Sequence, residues 1–223
     1  MIPYKDDNPI NIIPASTILI ISLNMLVFIM QLLSGEDSGS IVYSYGAIPQ
    51  NITGFKSSQP IPAYLTILTS MFMHGGVFHI AWNMLYFWIF GNNIEERLGH
   101  LRFILFYLFC GVVAALSHIL LSPDSNVPMI GASGAVSGML GAYILLFPTS
   151  QVRTIVLLGF YVTVVRVPAL IVIGIWAIIQ VVSGLLSQGN AAQGGIAFFA
   201  HVGGFVAGLF TIKLWQPRRS NKW

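Results

Sequence analysis

Six stretches of this chain are too apolar to face water, and most approach the length that crosses a bilayer. They run from Pro14 to Leu33, Tyr64 to Phe90, Leu101 to Leu121, Ser133 to Phe147, Pro168 to Leu186 and Ile196 to Trp215. Crossing about 30 Å of hydrocarbon takes roughly 20 helical residues. Lipid offers no partner to backbone N–H and C=O groups, so such stretches must be helices packed on one another. The remainder of the chain cannot solvate a globule: 8% of residues are charged, against roughly 25% in an average globular protein. The mean hydropathy of +0.80 agrees. A cytosolic enzyme, a disordered chain and a disulfide-stapled secreted module are thereby excluded; the single cysteine, Cys110, has no intrachain partner. Basic residues are scattered, so nucleic acid is not an expected partner. The expected fold is an all-α membrane protein of six transmembrane helices. Residues 1–13 form a short cytoplasmic N-terminus, 14–215 the six-span domain and 216–223 a basic cytoplasmic tail.

His74-Gly75-Gly76 interrupts the second stretch and leaves a spanning helix from about Val77 to Asn92. Residues 34–63 read as a long polar-to-mixed loop containing three prolines. The segment Thr149–Val167 is apolar and β-branched but too short and interrupted to span. It reads as a strand-like or interfacial segment along the membrane. Six spans put both termini on one side, together with Lys5, Arg97, Arg102, Arg153, Arg166, Lys213, Arg218, Arg219 and Lys222. The other side receives only Lys56. By the positive-inside rule both termini are cytoplasmic. No cleavable signal is expected, since two aspartates follow Lys5 and the first stretch is too long for a signal core. The expected home is a prokaryotic plasma membrane, with an organellar inner membrane as the alternative. No internal repeat stands out, which disfavours a transporter built from duplicated halves.

Polar side chains inside such stretches are costly unless they pair or line a cavity, so each is a functional candidate. His79 and Asn83 are four residues apart and share one helix face. His74 precedes the glycine pair. The fourth stretch opens with GASGAVSGMLGAY, carrying Ser133 and Ser137, and the sixth carries AHVGGFVAG with His201 near its start. With both termini inside, His79, Asn83, Ser133 and His201 all fall in the outer half of the membrane. Pro148 stops the fourth helix, giving it roughly 22 Å at 1.5 Å per residue. Ser133 therefore begins its helix below the outer surface, among backbone N–H groups that have no helical partner. There an oxyanion would be stabilised. A serine hydroxyl needs a base to take its proton. All seven carboxylates fall in loops or at the N-terminus, so a hydrolase built here is a Ser–His dyad. Taken singly, Ser133 fits a back-bond to its own helix better than chemistry, and Asn83 fits interhelical glue. Gly134-x3-Gly138 and Gly204-x3-Gly208 fit close helix packing. A metal site from His74, His79 and His201 is disfavoured, because no carboxylate or thiolate stands beside them. Glu95, Glu96 and Arg97 read as a solvated turn, with a cap for the helix that follows.

The segment GASGAVSG, with H-x4-H-x3-N upstream and AHVGGFVAG downstream, resembles the rhomboid family of intramembrane serine proteases. The resemblance runs from about residue 60 to 215 and includes the EERLG turn. It implies a six-helix bundle with a membrane-embedded cavity opening outward, and a catalytic domain that hydrolyses peptide bonds in or near transmembrane segments of other membrane proteins. It implies that Ser133 is the nucleophile and His201 the general base. His79 and Asn83, with the backbone N–H of Ser133, match the oxyanion donors, and His74 matches an accessory histidine. Gly204 and Gly208 match glycines that let the sixth span pack on the fourth, while Glu96, Arg97 and Gly99 match a structural turn. No metal or cofactor is implied. Position 137 is serine where some relatives carry an aromatic ring stacked on the base. His201 is then either less firmly oriented or served by another aromatic. The first loop has no clear match to the Trp-Arg pair of some bacterial members. Rival readings are a rhomboid-like pseudoprotease that escorts membrane proteins, which usually lacks the serine and histidine, and a small transporter or channel.

Overall fold

A computed structural model describes residues 2–55, 58–187 and 198–217 of the chain. Lys56, Arg218, Arg219 and Lys222, part of the charge argument, lie outside the described residues, as does Ile196 at the expected start of the last span. Strand β1 (Ile2–Asp6) leads into α1 (Ala15–Leu33), and the next segment carries α2 (Ser38–Tyr45) and α3 (Pro49–Thr53). Helix α4 (Thr66–Ser70) precedes the His74 break; α5 (Val77–Tyr86) and α6 (Asn92–Leu98) follow it. Then come α7 (His100–Leu121), α8 (Ser133–Leu146), β2 (Gln151–Leu158), β3 (Tyr161–Pro168), α9 (Ala169–Ser187) and α10 (Phe198–Trp215). Helices α1, α7 and α10 are long and apolar enough to cross a membrane unaided, while α8 and the Ala169–Val182 part of α9 are apolar but shorter.

Three expectations need correction. First, the chain is not purely helical. Strands β1, β2 and β3 form an antiparallel sheet in that order, with β1 running from Ile2 opposite Ile155 to Asp6 opposite Val152. The β-branched 149–167 segment is strand, as one of its two readings had it: it forms the β2–β3 hairpin, in register from Gln151 opposite Pro168 to Leu158 opposite Tyr161. Its backbone groups are paired by a neighbouring strand, which an isolated apolar segment cannot achieve. Second, the 34–63 loop is largely wound into short helices. Third, the helix begun at Val77 does not stop at Asn92. A π-helical segment, Phe87–Gly91, joins α5 to α6 and the rod continues to Leu98. Polarity does not end it because Asn92, Asn93 and Glu95, beyond Gly91, are buried with hydrogen-bond partners. Asn93 Nδ2 donates to Asp6 Oδ2 at 2.9 Å, and Tyr143 Oη donates to the same oxygen at 2.7 Å. Burial pushes the Asp6 carboxyl above its ordinary pKa, against the lowering effect of those hydrogen bonds.

Glu95 is the largest departure from the expected solvated turn: it is 0% exposed. Its oxygens accept from the backbone N–H of Ser16 and of Thr17, each at 2.8 Å, and from Thr17 Oγ1 at 2.7 Å. His100 Nδ1 lies 2.5 Å away. Glu95 thus caps α1, whose own N-terminal Pro14 offers no side-chain cap. Gly99, which follows, has φ +77. This left-handed residue ends α6 and turns the chain into α7, where a residue with a Cβ would be strained.

At the centre sits α8, buried on every side from Gly134 to Tyr143. A helix apolar all round belongs in a core. It packs most closely on α10 and then on α7. Small residues permit this: a Cβ on Gly204 would overlap the Gly134 carbonyl oxygen, and one on Gly208 the Gly138 carbonyl oxygen. On the α7 side Gly134 meets Ala114 and Gly138 meets Cys110. That pairing makes α7 antiparallel to α8, so Arg102 lies at the end of the bundle away from Ser133.

Candidate active site

Ser133 is the first residue of α8, after Ala132, which offers no side-chain cap. The N–H groups of this first turn therefore have no intrahelical acceptor. Gly131 just before it has φ +124, and its N–H donates to the Ser70 carbonyl at 2.9 Å. A Cβ here would be strained, and would stand 2.9 Å from His79 Nε2 and 3.4 Å from Ser133 Oγ. The space between that imidazole and that hydroxyl exists because residue 131 has no side chain.

His201 enters from the first turn of α10. Its Nε2 lies 2.7 Å from Ser133 Oγ, and its Nδ1 lies 2.6 Å from Gln180 Oε1 on α9. Two aromatic side chains flank the ring: Trp176 of α9 with centroids 6.1 Å apart, and Phe198 of α10 edge-on at 6.5 Å. An aromatic neighbour for His201 thus comes from α9 rather than from position 137. Ser137 is buried and its Oγ donates to the Ser133 carbonyl at 2.6 Å. The back-bond that fitted Ser133 belongs to Ser137.

His79 faces Ser133 across Gly131. The Gly75 N–H donates to His79 Nδ1 at 3.3 Å. A neutral imidazole that accepts at Nδ1 carries its proton on Nε2, so a donor points toward the space beside Ser133. Asn83 lies one turn further along α5, 8% exposed, and its Nδ2 has no partner among the described residues. His74 is 2% exposed, stands edge-on to His79 with centroids 5.1 Å apart, and makes no ring hydrogen bond among the described residues. Its backbone is fixed instead. Gln31 Nε2 donates to the His74 carbonyl at 3.2 Å, and the His74 N–H donates to Gln31 Oε1 at 3.1 Å. A cavity of about 40 Å³ borders Ser133, Gly131, Ser70 and Ala200, enough for a water molecule. Among the described residues, no group of three or more His, Cys, Asp or Glu side chains could hold a metal ion.

Sequence reading passed over Gln31 and Gln180. Both are amides inside apolar stretches, and the rule that singled out His79 and Asn83 applies to them equally.

The family model described as Rhomboid domain matches residues 62–217. The chain belongs to the rhomboid family. Over 130 residues this rhomboid is 31% identical to "Rhomboid protease GluP" of Bacillus subtilis, covering 58% of this chain and 24% of that protein. It is 31% identical over 155 residues to "RHOMBOID-like protein 6, mitochondrial" of Arabidopsis thaliana, covering 68% and 44%. With "Rhomboid protein 1, mitochondrial" of Saccharomyces cerevisiae it shares 27% over 154 residues, covering 67% and 41%. The chain spans from about a quarter to under half the length of these relatives. Family and apolar helices together make this rhomboid a helical integral membrane protein.

Proposed function

We propose that this rhomboid is an intramembrane serine endopeptidase, hydrolysing peptide bonds in or near the transmembrane segments of membrane-protein substrates. The observation that carries the reading is the 2.7 Å approach of His201 Nε2 to Ser133 Oγ. His201 takes the hydroxyl proton as Ser133 Oγ attacks the scissile carbonyl carbon. Negative charge then develops on the carbonyl oxygen in the space kept open by Gly131. The Ser133 N–H, His79 Nε2–H and the Asn83 amide are its donors. His201 returns the proton to the leaving amine, and the acyl-enzyme is hydrolysed when His201 activates a water. His74, edge-on to His79 and anchored through Gln31, holds that donor in place. Gly204 and Gly208 set the depth at which His201 meets Ser133. No step needs a metal.

Asn83→Ala should leave the protein folded and lower kcat by about 10²–10³, the usual effect of losing one oxyanion donor. KM should change little, because the interaction is made in the transition state. Unchanged kcat would remove Asn83 from the mechanism.

The proposed orientation puts both termini in the cytoplasm and the Ser133 end of the bundle outward. Its support is the nine-to-one division of Lys and Arg. A reporter fused after Trp223 should read cytoplasmic and one inserted near Ser38 external; an external C-terminus would reverse the placement of the site. The activity itself is tested by co-expression with a panel of single-span membrane proteins. Cleavage that persists in Ser133→Ala, or no cleavage of any panel member, would count against the reading.

A further inference from the structure

We propose that Gln180 is a positioning residue for the base: its side-chain oxygen accepts a hydrogen bond from His201 Nδ1–H, and so selects the tautomer and ring plane that turn a lone pair at Nε2 toward Ser133. This inference rests on the serine-protease reading above.

A neutral imidazole carries one proton, and only the Nδ1–H tautomer has a basic nitrogen at Nε2. Serine hydrolases commonly set this tautomer with a carboxylate. Here every carboxylate of the chain lies in a loop, at the N-terminus or, for Glu95 and Glu96, in α6 at the far end of the bundle. Among the described residues, the group within reach of Nδ1 is the Gln180 amide, with Oε1 at 2.6 Å. An amide can in principle present either end. Turned round, its NH2 would donate to Nδ1, and the ring proton would sit on Nε2, facing Ser133 with no basicity. The selection of the productive tautomer therefore resides in which end of the Gln180 amide faces the histidine.

The rest of α9 is consistent with such a task. From Ala169 to Val182 the helix reads ALIVIGIWAIIQVV, and Gln180 alone carries an amide, hydroxyl or charge. An amide in an apolar span is costly unless paired, and its partner is the base. Trp176 lies one turn earlier on the same face. Its indole packs against His201 and also against Phe205, with centroids 6.2 Å apart. One face of α9 thus supplies a hydrogen bond to the edge of the imidazole and an aromatic wall beside it. Among the described residues, the other ionisable groups that act on His201 are imidazoles, His79 of α5 and His118 of α7; α8 presents Ser133. A neutral amide orients the ring without compensating the charge that the ring acquires when it takes the proton. A carboxylate at the same place would do both.

The test uses the full chain in bilayers. It follows the rate of labelling of Ser133 by a fluorophosphonate against pH, with kcat and KM for one transmembrane substrate. Gln180→Leu keeps the size and removes the acceptor. It should slow labelling and kcat by about 10–10²-fold, with KM within about twofold, less than the ~10⁴ lost when a charged orienting group is made neutral. Gln180→Glu keeps an acceptor and adds a charge. Labelling should recover to within about fivefold of wild type, with the acidic limb of its pH profile moved to higher pH, because the protonated base is then favoured. Loss in Gln180→Leu with recovery in Gln180→Glu is the pattern that a merely structural role would not give, because leucine fills the same space without an acceptor. The inference falls if Gln180→Leu is labelled at the wild-type rate. It also falls if the limb in Gln180→Glu stays where it is in wild type, a readout that survives a Leu variant that fails to fold. Wild-type chain that is never labelled at Ser133 would sink the protease reading and this inference with it. Normal wild-type labelling with both variants unchanged would sink this inference alone.

Discussion

Ser133→Ala should abolish proteolysis, whereas Ser137→Ala should leave most of it. The two hydroxyls stand one turn apart on α8 and differ in what they can do. Ser133 Oγ faces His201 Nε2 at 2.7 Å and opens the helix, where free N–H groups await a developing oxyanion. Ser137 is 0% exposed, and its proton is already given to the Ser133 carbonyl. Loss of the nucleophile or the base in a serine protease costs about 10⁶ in kcat. Loss of the Ser137 back-bond should cost about 1 kcal/mol of stability and a few-fold in rate. The measurement is cleavage of a single-span substrate in proteoliposomes, paired with fluorophosphonate labelling. Label on Ser137, or undiminished label on Ser133 in His201→Ala, would refute the dyad.

Glu95→Ala should be strongly destabilising although the residue lies outside the site. It leaves the Ser16 and Thr17 N–H groups and the Thr17 hydroxyl without an acceptor in a buried turn. A buried donor left without its acceptor costs about 1–3 kcal/mol, so the loss of one acceptor group shared by three donors should cost about 3 kcal/mol or more. Glu95→Gln keeps one acceptor oxygen and should cost less, about 1–3 kcal/mol. Burial alone would raise the Glu95 pKa, but the hydrogen bonds from Thr17, His100 and Ser16 outweigh it and hold the carboxyl below its ordinary 4.5. A carboxyl depressed in the folded state stabilises fully above its unfolded pKa and loses that contribution as pH falls through the folded value. The thermal midpoint of wild type should therefore decline below about pH 4.5, and this part of the decline should be missing in Glu95→Gln. Equal midpoints for wild type and Glu95→Ala at pH 7 would show that the cap is dispensable.

Much of the helical layout was legible in the residues, because an apolar run long enough to cross hydrocarbon has few other folds available to it. The α7 and α8 boundaries, at His100 to Leu121 and Ser133 to Leu146, lie within a residue of those read from the sequence. Pro148 marks the end of α8 by local chemistry alone. The shared face of His79 and Asn83 follows from helical spacing in the same way. Elements whose stability lies in distant partners were not legible. IPYKD has no periodicity to announce a strand; it becomes β1 because β2 pairs with it. Glu95 looked solvated because its partners, the first N–H groups of α1, lie 78 and 79 residues away.

The same division runs through the site. Residue type and local spacing determined which side chains carry usable chemistry: a serine at a helix start, a histidine near the start of another helix, and two polar groups on one face of a third. Tertiary structure alone decided which of them meet, because helical periodicity sets the rotation of each helix about its own axis but not the phase of one helix against another. That phase is set where α10 lies on α8, with Gly204 and Gly208 against the carbonyls of Gly134 and Gly138. The contact brings His201 to Ser133 across 68 residues of chain. It was likewise the packing of α9 on α10, and no local signal, that gave the remaining imidazole nitrogen to Gln180.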